Sequence, residues 1–165
     1  MTNDTTPSDA DTPIIVLVDD EEMVLTSLSS FLSLETDYAV HTFTSARDAL
    51  AFIDETDISL VISDYLMPEM DGITFLASVK KVRPQVPRII LTGYADKENA
   101  IKAINEVGLY QYIEKPWDND DLLIILRNAL QQQELMRQLQ SKMDEINKAY
   151  SDLQGIHKAI VKTFV

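Results

Sequence analysis

The sequence predicts an α/β domain in which helices cover both faces of a parallel sheet, followed by a long helix. Short apolar, β-branched runs such as Ile14 to Val18 and Leu60 to Ile62 recur through the first four-fifths of the chain. Between them lie segments whose apolar residues step by three and four, the spacing of a helix with one buried face. Turn formers, among them Pro68, Gly72, Pro84, Gly93 and Gly108, punctuate the junctions.

Taken in order, Pro13 opens a first strand over Ile14-Ile15-Val16-Leu17-Val18, which stops at Asp19-Asp20. A helix follows with Val24, Leu25, Leu28, Phe31 and Leu32 on one stripe. Tyr38 to Phe43 alternates weakly and reads as an edge strand; Ser45 then suits the cap of a helix carrying Ala49, Leu50, Phe52 and Ile53. A third strand is predicted over Ile58 to Ser63 and a third helix from about Gly72 to Val82, stopped by Pro84. Pro87 to Leu91 makes a fourth strand, closed by Thr92-Gly93. Lys97 to Val107 makes a helix with Ala100, Ile101, Ala103 and Ile104 inward and Gly108 ending it. Leu109 to Ile113 is the fifth strand, and Asp118 caps a helix that begins near Asp120.

Strict alternation of strand and helix gives a parallel sheet, and right-handed crossovers restrict it to a doubly wound topology. Five strands favour the flavodoxin-like order 2-1-3-4-5, whose ligand crevice lies beyond the carboxyl ends of strands 1 and 3.

Composition narrows the function classes. The 165 residues contain no cysteine, which removes disulfides, thiolate metal sites and thiol nucleophiles. Residues 1–13 are polar and predicted disordered, without the basic start and apolar block of a signal peptide, and no apolar run spans a bilayer; the expected compartment is the cytoplasm. Of the net charge of −13, the first 13 residues carry −3 and residues 131–165 carry +1, so −11 falls on residues 14–130. A body this acidic repels phosphate backbones, so direct nucleic-acid binding is not expected, nor is membrane binding.

Residues that follow the strands of a parallel sheet share one edge, with neighbouring strands about 4.8 Å apart. Asp19 and Asp20, Asp64, Thr92 and Lys115 all occupy such positions. Taken singly they have plain readings: Asp19-Asp20 suits a helix cap, and Asp64 suits a turn. Together they bring three carboxylates, a hydroxyl and an ammonium to one place. Clustered carboxylates need a counter-charge, and a hard cation such as Mg²⁺ takes oxygen ligands of this kind. Asp64 is then placed to attack phosphorus and carry a phosphoryl group, with Thr92 and Lys115 facing the phosphoryl oxygens.

Val18-Asp19-Asp20-Glu21, Ser63-Asp64-Tyr65-Leu66-Met67-Pro68-Glu69-Met70-Asp71-Gly72, Leu91-Thr92-Gly93 and Lys115-Pro116 resemble the motifs of the receiver domain of two-component response regulators. The resemblance covers about residues 14 to 130. It implies that Asp64 is the phosphoacceptor, that Asp20 binds Mg²⁺ (or Mn²⁺) directly, and that Asp19 is a ligand or the partner of one. The Leu66 backbone carbonyl would be a further ligand, Thr92 and Lys115 would contact the phosphoryl group, and the Lys115–Pro116 peptide would be cis. Tyr112 falls at the family's switch aromatic, which turns inward when Thr92 moves and so alters the surface of helix 4, strand 5 and helix 5. Leu66 and Tyr94 stand at positions variable in the family and thought to tune phosphoryl lifetime. The phosphodonor would be a sensor histidine kinase or a phosphotransfer protein. Beyond its own phosphorylation and dephosphorylation, no enzymatic turnover is expected of this chain.

Past the fifth helix the apolar pattern continues through Met136, Leu139, Met143, Ile146, Tyr150, Leu153, Ile160 and Phe164, with His157 in the one polar slot. Arg137, Asp144, Glu145, Lys148 and Lys158 hold outer positions, as does Gly155, which costs about 1 kcal/mol of helix stability. Such heptads predict a parallel coiled coil over residues 131–165, hence a homodimer, with a helix folded back on the receiver as the alternative. The expected output domain lies beyond residue 165. The sequences around Thr92 and Lys115 resemble receivers joined by such a helix to cyclic-dinucleotide phosphodiesterases, diguanylate cyclases or sensor kinases.

Two other functions fit part of the pattern. A pseudo-receiver would act by binding alone, against which stand the intact acidic pair, Thr92 and Lys115. A small phosphoaspartate hydrolase resembling haloacid dehalogenases would carry a second acid two residues after the nucleophile, where this chain has Leu66.

Overall fold

The structure is a computed structural model that describes residues 12–163. Most of the predicted disordered start, residues 1–11, and the last seam position, Phe164, lie outside the described residues. The chain forms two compact units, Met1–Leu130 and Gln131–Val165.

In the first unit five strands, β1 (Ile14–Val18), β2 (Ala39–Phe43), β3 (Leu60–Asp64), β4 (Arg88–Thr92) and β5 (Gln111–Glu114), alternate with helices α1 (Glu22–Glu35), α2 (Ala46–Glu55), α3 (Gly72–Val82), α4 (Lys97–Val107) and the first part of α5 (Asn119–Thr163). All pairings are parallel and the order is β2-β1-β3-β4-β5, the predicted flavodoxin-like topology. The central strands β1, β3 and β4 are nearly continuous buried runs, because helices close both faces. Side chains alternate between the two faces. Val16, Val18, Val61 and Ile90 join Ile53, Phe75 and Val79 in one core, while Ile15, Leu17, Ile62 and Leu91 join Leu28, Leu32, Leu122 and Leu126 in the other.

Local sequence chemistry sets the helix ends. The Ser45 hydroxyl accepts from Asp48 N at 3.4 Å, as predicted, and Asp71 caps α3 by accepting from Thr74 N at 2.7 Å. Gly108 closes α4 with φ 73°, a left-handed conformation that favours glycine. Asp118 accepts from Asp120 N and Asp121 N at the start of α5.

Two expectations shift. Strands β3, β4 and β5 each end a residue later than predicted, so Asp64 and Thr92 are the last residues of their strands rather than the first beyond them. Ladder bonds from Tyr65 N to Leu91 O and from Lys115 N to Thr92 O carry the pairing past the apolar runs. Ile101, predicted inward, is exposed. Ala100 and Ala103 define the buried stripe of α4, and at 100° per residue Ile101 falls beyond it.

In the second unit α5 continues as a helix through Thr163, and from Gln131 to Lys162 its side chains are exposed except for Gln133, which is buried. Met136, Leu139, Met143, Ile146, Tyr150, Leu153 and Ile160 are each 46–66% exposed, a large unburied apolar stripe. No helix among the described residues is long and apolar enough to cross a membrane.

Candidate functional site

The site lies at the carboxyl edge of the sheet, where β1, β3, β4 and β5 end side by side. Asp64 closes β3 between β1 and β4, its backbone in register with Leu91. Its Oδ1 accepts from Tyr65 N and from the Lys115 ammonium, each at 2.9 Å. Asp19, at the exit of β1, is 1% exposed. Its Oδ1 accepts from Glu21 N at 2.9 Å and its Oδ2 from Lys115 Nζ at 3.3 Å. The N-cap of α1 is Glu21, with no side-chain cap bond, so neither Asp19 nor Asp20 caps the helix. Asp20 is exposed, but a carboxylate oxygen from each of Asp19, Asp20 and Asp64 lies within 4.8 Å of the others.

Burial pushes the Asp19 carboxyl above the usual carboxylate range; the Glu21 N–H opposes this, the Asp64 charge adds to it and Lys115 opposes it. Burial also disfavours the Lys115 ammonium, but the hydrogen bonds and charges of Asp64 and Asp19 outweigh it and hold that group above its usual value. One ammonium among three carboxylates leaves the cluster net negative. An all-oxygen set of this charge fits a hard divalent cation such as Mg²⁺ or Mn²⁺, with Asp19, Asp20 and Asp64 as the residues that would hold it.

The remaining candidates are Thr92, Lys115, Leu66 and Tyr112. Thr92, fully buried, ends β4 and donates its hydroxyl to Gly93 O at 3.1 Å. Lys115 follows β5, and the Lys115–Pro116 peptide is cis. Leu66 is in the loop after β3, with its side chain mostly exposed. Tyr112 is half-buried on the edge strand β5, its backbone partnered with Ile90, and packs against the core that holds Phe75. Asp19, Asp20, Asp64 and Lys115 are brought together in one cluster. Thr92 adjoins it with its hydroxyl turned to the Gly93 carbonyl.

Gly72 has a role that its reading as a turn former missed. A Cβ there would lie 2.1 Å from the Asp64 carbonyl oxygen, so α3 starts against the backbone of the phosphoacceptor candidate only because residue 72 has no side chain. Gly72 N also donates to Tyr65 O at 2.8 Å. The Asp71-Gly72 pair ahead of an apolar helical run carried the signal, as a cap followed by a close approach.

Residues 15–127 match the response regulator receiver domain. The chain belongs to this family. As a receiver it is a module of two-component phosphorylation signalling. The receiver is 37% identical over 121 residues to the hydrogenase transcriptional regulatory protein HoxA of Cupriavidus necator, covering 73% of this chain and 25% of that one. Among solved structures, the signal receiver domain of an HD domain-containing protein from Pseudomonas fluorescens Pf-5 superposes with a TM-score of 0.70 at 41% identity, covering 74% of this chain and 98% of that one. The structure described as adenylate cyclase from Rhodopirellula baltica superposes with a TM-score of 0.76 at 28% identity, covering 81% and 98%. The receiver spans between a quarter and a third of the curated relatives it matches.

Proposed function

We propose that residues 14–130 act as a phosphorylation switch in which Asp64 takes a phosphoryl group from a phosphohistidine on a sensor kinase or phosphotransfer protein. The observation that carries this reading is the Lys115 ammonium lodged between Asp64 Oδ1 and Asp19 Oδ2, at 2.9 and 3.3 Å, inside a three-carboxylate cluster. Both hydrogen bonds to Asp64 fall on Oδ1, so Oδ2 is the attacking oxygen. Its lone pair forms the new O–P bond as the P–N bond to the donor imidazole breaks, and the imidazole leaves with the bonding pair.

Asp19, Asp20 and Asp64, with the Leu66 carbonyl, would hold Mg²⁺ or Mn²⁺, which when bound neutralises charge on the phosphoryl oxygens. Lys115 screens the same charge from the other side. The Thr92 hydroxyl leaves Gly93 O for a phosphoryl oxygen, a stronger acceptor. That movement frees space for Tyr112 to turn inward, which changes the face formed by α4, β5 and the start of α5.

Residues 131–165 are proposed as a coiled-coil linker that pairs two copies and carries the change to an output domain. The exposed apolar stripe at coiled-coil spacing supports the pairing. The greater length of the curated relatives supports an output domain, and an HD-domain protein and a protein described as an adenylate cyclase among the similar structures favour an enzymatic one. Catalysis beyond self-phosphorylation is not assigned to these residues.

Incubation with Mg²⁺ and a small phosphodonor, followed by intact-mass measurement, tests the switch. Addition of one phosphoryl group that Asp64→Asn abolishes is the expected result; a wild type that binds metal yet stays unmodified would return the chain to a pseudo-receiver. Steady hydrolysis of a phosphomonoester would favour the hydrolase reading instead.

A further inference from the structure

The seam of the second unit carries one histidine, and its surroundings give that residue a specific task. From Met136 to Ile160 the steps alternate three and four without interruption, placing His157 at an a position and Leu153 and Ile160 at d positions of one heptad frame. The flanks of this frame are unusual around His157. Ile156 falls at g and Val161 at e, and both are exposed, at 57% and 48%. In a parallel, in-register pair, a g residue faces the partner's e residue five positions later, so Ile156 meets its counterpart's Val161. Elsewhere the e positions hold Gln140, Asn147 and Gln154, neutral amides that set up no like-charge repulsion between identical helices.

We propose that residues 131–163 pair, parallel and in register, with the same segment of a second copy, and that His157 makes the C-terminal half of this pairing acid-labile. The proposal rests on the homodimer reading above and adds to it a register and a proton-sensitive layer. Each His157 knob enters a hole formed by the partner's Leu153, Ile156, His157 and Ile160. The one titratable group facing His157 in that hole is its own copy. Asp152, Lys158 and Lys162 occupy outer positions of the frame, so no carboxylate enters the layer.

The protonation chemistry follows from this layer. With both imidazoles neutral, one ring N–H donates to the unprotonated nitrogen of the other across the seam. With both charged, all four ring nitrogens are donors, no acceptor remains, and two positive charges share an apolar layer.

Sedimentation equilibrium of the full chain between pH 7.5 and pH 5.8 tests the proposal. The wild type should be a dimer whose dissociation constant rises about tenfold or more on acidification. His157→Leu should dimerise with a dissociation constant that hardly changes over the same range. His41→Gln, which removes the chain's other histidine, should keep the acid response. A wild-type dimer of constant affinity, or an acid response that survives in His157→Leu, would overturn the acid-labile layer and leave the homodimer standing. A monomer at all pH values, or an assembly larger than a dimer, would overturn the pairing itself.

Discussion

The Lys115 ammonium lies 2.9 Å from Asp64 Oδ1, joining the exit of β5 to the exit of β3 across the intervening strand β4. It also reaches Asp19 Oδ2 at 3.3 Å, so one cation is shared by two of the three carboxylates that form the metal-site candidate. A divalent metal held there would therefore compete with the lysine for the same negative charge. Opposite charges about 4 Å apart in a partly solvated site interact by roughly 1 to 4 kcal/mol. Lys115→Ala should tighten Mg²⁺ binding several-fold in calorimetric titration while slowing phosphorylation, because in the proposed switch the same cation also screens the transferring group. Weaker Mg²⁺ binding in this variant would contradict the competition.

Asp19 sets a pH dependence whose sign is fixed by burial. Its carboxyl is raised above the ordinary value of 3.8, so the neutral form is the one the fold favours. That stabilising contribution is complete below the unfolded value and is lost as pH rises through the folded value. At neutral pH the ionised group opposes folding. Asp19→Asn should therefore raise Tm at pH 7.5 without metal, and thermal melts should show the gain shrinking as pH falls toward 4. Mg²⁺ should raise the wild-type Tm and narrow the difference.

Gly72→Ala places a Cβ 2.1 Å from the Asp64 carbonyl oxygen, and backbone cannot yield as a flexible side chain does. Overpacking of this kind costs about 1–3 kcal/mol, which in a chain of this size lowers Tm by roughly 2–10 °C. Phosphorylation should slow in the same variant, since α3 and the loop after β3 must move away from Asp64. Gly155→Ala, where a Cβ meets nothing within 4 Å, should leave phosphorylation unchanged and stabilise the helix by about 1 kcal/mol.

Arg88 offers a separate test of how the sheet is anchored at its other end. This buried guanidinium donates to Pro84 O, Val86 O and Gly108 O, at 3.3, 3.1 and 2.7 Å, and its Nε is buried without a partner among the described residues. Burial also lowers its proton affinity. The side chain ties the loop before β4 to the turn that ends α4. Arg88→Ala should cost about 2–4 kcal/mol in urea unfolding, from a cavity and stranded carbonyls, while Mg²⁺ affinity changes little.

Much of this architecture was legible in the chain. Asp19, Asp64 and Thr92 each terminate an apolar run and Lys115 follows one by a residue, and strand alternation alone puts such residues on one edge. What the pattern could not give is which atoms meet. That Lys115 bridges Asp64 and Asp19 depends on side-chain reach across β4, and that Gly72 must lack a Cβ depends on how closely α3 abuts β3. Ile101 was misread because α4 buries a narrow stripe of small residues, Ala100 and Ala103, and apolar character alone does not reveal that narrowness. Arg88 carried no signal, since an arginine at the start of an apolar strand reads as a solvated end rather than a buried clamp.

The most direct test of the switch is to locate the phosphoryl group on the chain. Borohydride reduces an aspartyl phosphate to homoserine, so phosphorylated protein treated in this way and mapped by tandem mass spectrometry reports the modified residue. Homoserine at position 64 alone, dependent on Mg²⁺ and absent when the phosphodonor is omitted, is the predicted result. Homoserine at position 19 or 20, or phosphorylated protein that yields none at position 64, would contradict the assignment of Asp64 as the phosphoacceptor.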